Sequence, residues 1–142
     1  MTLPAPPPGL PAGPCGFYEE LRTVVDTARP ARIDWDRVEV DFGDGGVAVT
    51  LPHDTEPDWT LAAQVSRAAA VVFAGPLTAH FGPEEPEAAV ELLARGLRGE
   101  LEVDVAYRGD ELVRVGADRI WGLHALALWR PERTETVHID FR

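Results

Sequence analysis

Residues 38–51 read Val-Glu-Val-Asp-Phe-Gly-Asp-Gly-Gly-Val-Ala-Val-Thr-Leu, two runs of alternating apolar and polar or small residues on either side of Gly43-Asp44-Gly45-Gly46. Alternation with period two marks a half-buried strand, and an Asp-Gly pair between two such runs is the local signal of a hairpin. With Asp44 and Gly45 at the centre of a type I′ turn, Phe42 faces Val47, Val40 faces Val49 and Val38 faces Leu51. Every pair on one side is then apolar. A slip of one residue would turn that whole set to water, so pattern and turn together specify the register.

Upstream of the hairpin, Phe17, Tyr18, Leu21, Val24, Val25 and Ala28 follow helical spacing up to Pro30, which cannot continue a helix. Ahead of it, residues 1–14 are rich in proline and glycine and read as a mobile tail of polyproline character. After the hairpin, Leu61, Val65, Ala68, Ala69 and Val72 repeat a helical spacing, with Gln64, Ser66 and Arg67 outside. They predict a second helix from Asp58, ended by Gly75-Pro76. A third begins near Pro86, where a missing N–H costs nothing, buries Leu92, Leu93 and Leu97, and ends at Gly99.

The remainder reads as strand. Leu101, Val103, Val105 and Tyr107 alternate with polar or small residues, and a three-residue loop Arg108-Gly109-Asp110 would set Val105 opposite Val113 and Val103 opposite Val115. The Arg-Gly-Asp triplet is on this reading a turn, not an adhesion motif. A last hairpin pairs 122–130 with 134–142 through Pro131-Glu132-Arg133, setting Ala127, Ala125 and Leu123 against Val137, Ile139 and Phe141. The expected fold is α+β, in the order α-β-β-α-α-β-β-β-β, with residues 15–142 as one domain. Its antiparallel sheet has about six strands, and three helices pack mainly on one face.

Composition excludes several chemistries. All 13 basic residues are Arg, and a chain without Lys forms no Schiff base and carries no P-loop or kinase phosphate-binding lysine. The enrichment in Ala, Gly, Pro and Arg is what a GC-rich bacterial genome produces. Ser66 is the sole serine and lies outside any Gly-x-Ser-x-Gly elbow; Cys15 is the sole cysteine, so no intramolecular disulfide or cysteine zinc site forms. A formal net charge of −11 opposes nucleic acid and anionic membrane. With no signal segment and no long apolar run, the expectation is a cytoplasmic protein without a cofactor.

Two constellations carry chemistry. Asp34, Asp36, Glu39, Asp41, Asp44, Asp54, Glu56 and Asp58 share a stretch with Arg37 as its one cation, and like charge gathered on a hairpin steers a basic partner toward it. Trp35 sits inside that run as an aromatic contact residue. The second is the trio His124, His138 and Asp140, which the last hairpin's register would bring within reach of one another to hold a divalent metal or do acid-base work. His53 and His80 sit in loop segments that could join it.

The leading expectation is a small acidic binding module, not an enzyme, docking a basic protein partner through Asp34, Trp35, Asp36, Glu39, Asp41 and Asp44, as an inhibitor or immunity-type protein would. The alternatives are a metal-dependent or acid-base enzyme at His124, His138 and Asp140, and a homodimeric carrier or structural domain paired through Leu126 and Leu128.

Overall fold

The computed structural model describes residues 1–117, 120–123 and 132–142. The hairpin forms in the expected register. Strand β1 (Glu39–Asp41) pairs antiparallel with β2 (Val47–Leu51), and Val40 lies opposite Val49. Asp44 (φ 56°) and Gly45 (φ 70°) both take positive φ, and the Gly46 N–H donates to the Gly43 carbonyl at 3.1 Å, as a type I′ turn requires.

The segment expected as a helix from Asp58 is instead strand. β3 (Leu61–Val65), β4 (Ala70–Ala74) and β5 (Leu77–Phe81) continue the meander, giving a five-stranded antiparallel sheet in chain order. The misreading has a physical cause: Leu61 and Val65 are four apart, so they satisfy a helical spacing and a strand's alternation alike. Tertiary pairing decides between the two. Leu61, Ala63 and Val65, then Ala70, Val72 and Ala74, all point inward and are buried. Between them Ser66 closes the turn, its hydroxyl accepting the Ala68 and Ala69 N–H groups.

Among the described residues there are therefore two α-helices, not three. Helix α1 (Ala12–Ala28) buries Pro14, Phe17, Tyr18, Leu21 and Val25 and ends at Arg29, left-handed before Pro30. Helix α2 (Pro86–Leu97) starts on its proline as expected. It stops in a Schellman motif: Gly99, at φ 72°, donates to the Gly96 carbonyl at 3.2 Å while Glu100 donates to Arg95 at 2.8 Å. The helices pack against each other; α2 lies on β3, β4 and β5, α1 reaches β2, and the core includes Val49, Leu61, Ala63, Val72 and Leu93. Ahead of α1, Leu3 is buried at 2% exposure, and the Tyr18 hydroxyl donates to the Pro4 carbonyl at 2.7 Å. Burial pushes that hydroxyl's pKa up to about 12.

A second sheet of four strands, ordered β8-β7-β6-β9, replaces the remainder of the expected single sheet. It comprises β6 (Leu101–Arg108), β7 (Glu111–Ala117), β8 (Ile120–Leu123) and β9 (Arg133–Ile139). The β6–β7 loop is shorter than expected. Arg108 pairs with Glu111 across Gly109-Asp110, Gly109 sits at φ 61°, and a bulge beside Ala106 and Tyr107 then sets Val105 opposite Val115 rather than Val113. Of the pairs named for the expected last hairpin, only Leu123 with Phe141 falls on described residues, and it does not form. β9 pairs with β6, with Val103 opposite Val137 and Leu101 opposite Ile139, whereas Leu123 lies opposite Arg114 on β7 instead of opposite Phe141. The long strand β6 offers two edges and takes a partner on each. The half of that hairpin from His124 to Arg130, with Leu126, Leu128 and Trp129, lies outside the described residues, as does Pro131.

No helix is long and apolar enough to cross a membrane among the described residues.

Candidate functional site

The acidic hairpin lies at the edge of the five-stranded sheet, and the outer side of β1 is unpaired among the described residues. Alternation turns Val38, Val40 and Phe42 toward the core, where they pack while half-buried, and leaves Glu39 and Asp41 exposed. Before β1 a 3₁₀ turn (Trp35–Arg37) holds Asp36 in water, and after it Asp44 projects from the hairpin tip. Among the described residues, Asp36, Glu39 and Asp44 have no ion pair; Asp34 approaches Arg37 at only 3.9 Å, and Asp41 Oδ1 accepts the Gly43 N–H at 3.0 Å. A shallow groove of about 330 Å³ runs beside them, lined by Asp36, Arg37, Val38, Glu39, Thr50, Pro52 and Thr60.

The fold divides the acidic stretch. Asp54 turns to Arg32 at 3.5 Å, and Glu56 lines a different cleft. Uncompensated charge is thus concentrated on the run from Asp36 to Asp44. Trp35 is half-buried and lines a separate hollow with Met1, Thr2 and Val25.

The second constellation gathers around a residue whose role the sequence does not signal. His53 is 4% exposed. Its Nδ1 accepts backbone N–H groups from Thr55 at 3.2 Å and Glu56 at 3.0 Å, while Nε2 lies 2.9 Å from the Asp140 carbonyl. Two donors on Nδ1 leave no place for a proton there, so the ring is the neutral tautomer protonated at Nε2. The Asp54 carboxylate 3.3 Å from Nδ1 is then a neighbour rather than an ion-pair partner. Trp59 and Phe141 meet the ring edge-on at 5.2 and 4.9 Å between centroids. With both nitrogens engaged, His53 has no lone pair for a metal and no open valence for proton transfer.

Asp140 and His138 stand on the same cleft, about 810 Å³ in volume, with Trp59, Arg32 and Arg142. Arg142 grips the Asp140 carboxylate through Nε at 2.9 Å and Nη2 at 2.7 Å, and its own backbone N–H adds a third bond at 2.9 Å. Those hydrogen bonds hold the carboxyl at about 2, well below the usual range. His138 is exposed, with Nε2 2.6 Å from the Gly99 carbonyl. His124 lies outside the described residues, and no cluster of three metal-ligating side chains occurs among those described. His80 is far from loop character: it stands on β5 opposite Val71, exposed on the outward face.

Comparisons with protein-family models, with curated proteins and with solved structures return no match for this chain.

Proposed function

We propose that the protein is an acidic binding module that docks a basic protein partner along the β1 edge, in an inhibitor or immunity-type role. Asp36, Glu39, Asp41 and Asp44 make the charged contacts, with Asp34 and Trp35 at their flank. The observation that supports this reading is the set of exposed carboxylates, with Arg37 as the one cation among them, on and beside an edge strand that is unpaired among the described residues. Such a field raises the encounter rate with an opposite charge and repels like-charged competitors. A three-residue edge strand bordered by carboxylates also resists indiscriminate strand pairing, which favours a side-chain-led interface.

The test is affinity capture from a bacterial lysate at low salt, with wild type beside the triple variant Asp36→Asn, Glu39→Gln, Asp41→Asn. A control neutralises Glu84, Glu85 and Glu87 instead. The reading predicts one basic protein retained by wild type and control and lost by the first triple. Equal retention by all three would contradict it.

A further inference from the structure

The N-terminal strap packs against the body with Leu3 buried in the core cluster. Up to Pro7 the strap has neither helix nor strand, and its only side-chain hydrogen bond among the described residues runs from Tyr18 Oη to the Pro4 carbonyl at 2.7 Å. Its apolar anchor is Leu3, sunk into the core at 2% exposure, while Pro4, Ala5, Pro7 and Pro8 remain exposed. The strap then turns at Gly9, φ 88°, and rejoins the body where Pro11 approaches the tip of the acidic hairpin. One leucine in a socket and one carbonyl on an aromatic hydroxyl is a sparse attachment.

That attachment has the chemistry of proline-rich recognition. Prolines restrict φ and remove backbone donors, so such a segment offers carbonyls and flat apolar rings at low entropic cost, and aromatic grooves receive it. Tyr18 is held edge-on against Phe42 at 4.9 Å, which fixes the hydroxyl toward the strap. Past Leu3 the strap's own Met1 and Thr2 close one side of a hollow of about 470 Å³ whose other walls are Val25, Asp26, Arg29, Pro30 and Trp35.

We infer that the Tyr18 and Leu3 seat is a binding groove for an extended, proline-rich peptide of a partner protein carrying a Leu-Pro pair, closed in cis by residues 1–8. The occupant on view has that chemistry, and a tethered strap competes with an incoming peptide at an effective concentration of about a millimolar. The seat adjoins the acidic edge through Trp35 and Phe42, but the leucine socket takes no part in the charged contacts, so the two readings are tested separately.

The probe is a fluorescein-labelled peptide of residues 1–10, titrated by anisotropy into the full-length chain. Wild type is expected to give no saturable binding up to about 1 mM, because the cis strap holds the seat. Leu3→Asp, which expels the strap, is expected to bind at least tenfold more tightly than wild type. Adding Tyr18→Phe is expected to weaken that binding severalfold, and a peptide with its own leucine replaced by aspartate is expected not to bind.

Leu3→Ala carries the same titration should the aspartate variant lose cooperative melting. A folded variant with an emptied socket that ignores the peptide would overturn the inference. So would a wild-type dimer, dissolved by Leu3→Asp, in which the seat takes the strap of a second copy.

Discussion

His53 and Asp140, 87 positions apart, are joined by a 2.9 Å hydrogen bond from the imidazole Nε2 to the Asp140 backbone carbonyl. The bond belongs to a local weave. Ile33 bridges His53, the Arg32 N–H donates to Phe141 at 3.1 Å, and the Phe141 N–H donates to the Gly96 carbonyl at 3.3 Å. The chain's last residues are thereby fastened to the loop after β2 and to the end of α2. His53 is the centre of that fastening, and its chemistry is spent on it.

Replacing His53 by Phe keeps a ring between Trp59 and Phe141 but orphans the Thr55 and Glu56 N–H groups and the Asp140 carbonyl. The expected cost is about 2–4 kcal/mol in urea unfolding, from buried polar groups left without partners. A loss within about 0.5 kcal/mol, the range of a neutral surface change, would mean that the ring serves packing alone.

Asp140 predicts a pH dependence whose sign follows from its hydrogen bonds to Arg142. Its folded pKa, about 2, lies below the ordinary carboxylate value of 3.8. The folded state therefore binds fewer protons at this group, and its contribution is full above about pH 4 and is lost as pH falls toward 2. Asp140→Asn should lower stability at pH 7 and flatten the acid limb of a stability profile between pH 5 and 2. An unchanged limb would assign acid sensitivity to other carboxylates. The effect is modest, because the Arg142 side chain is 65% exposed.

The acidic hairpin depends on two glycines for different reasons. Gly45→Ala strains a left-handed position and should cost roughly 1 kcal/mol. At Gly46 a Cβ would stand 2.5 Å from the Val65 backbone carbonyl, which a neighbouring strand cannot readily yield, so Gly46→Ala should cost roughly 2–3 kcal/mol. Gly13, in α1 with open space around it, should gain about 0.5 kcal/mol on becoming Ala. Thermal unfolding of the three variants checks the order; Gly46→Ala milder than Gly45→Ala would contradict the close approach of β3.

What was legible in the sequence was local. The Val38–Leu51 hairpin announced both strands, turn and register because its determinants lie within fourteen residues. The start of α2 on Pro86 and its stop at Gly99 were equally readable. The stretch from Leu61 to Ala74 was not, since its apolar spacing fits two periods and the choice was made by pairing with β2. A bulge shifted β6 against β7 without any residue signalling it, and the pairing of β9 with β6 sets Val103 opposite Val137 across an intervening hairpin. The acidic residues were found as a group, yet their division, with Asp54 turned to Arg32, required the bridge between Ile33 and His53. For His53 the decisive partner is 87 positions away, beyond any motif.

If the carboxylates of the β1 edge steer a basic partner, as proposed, they govern the rate of association. With the captured partner immobilised, the rate constant should fall about tenfold between 50 and 300 mM salt for wild type, as screening shortens the reach of the field. For the Asp36→Asn, Glu39→Gln, Asp41→Asn variant it should already be slow at low salt and nearly flat. An association rate that ignores both salt and these three substitutions would contradict the claim.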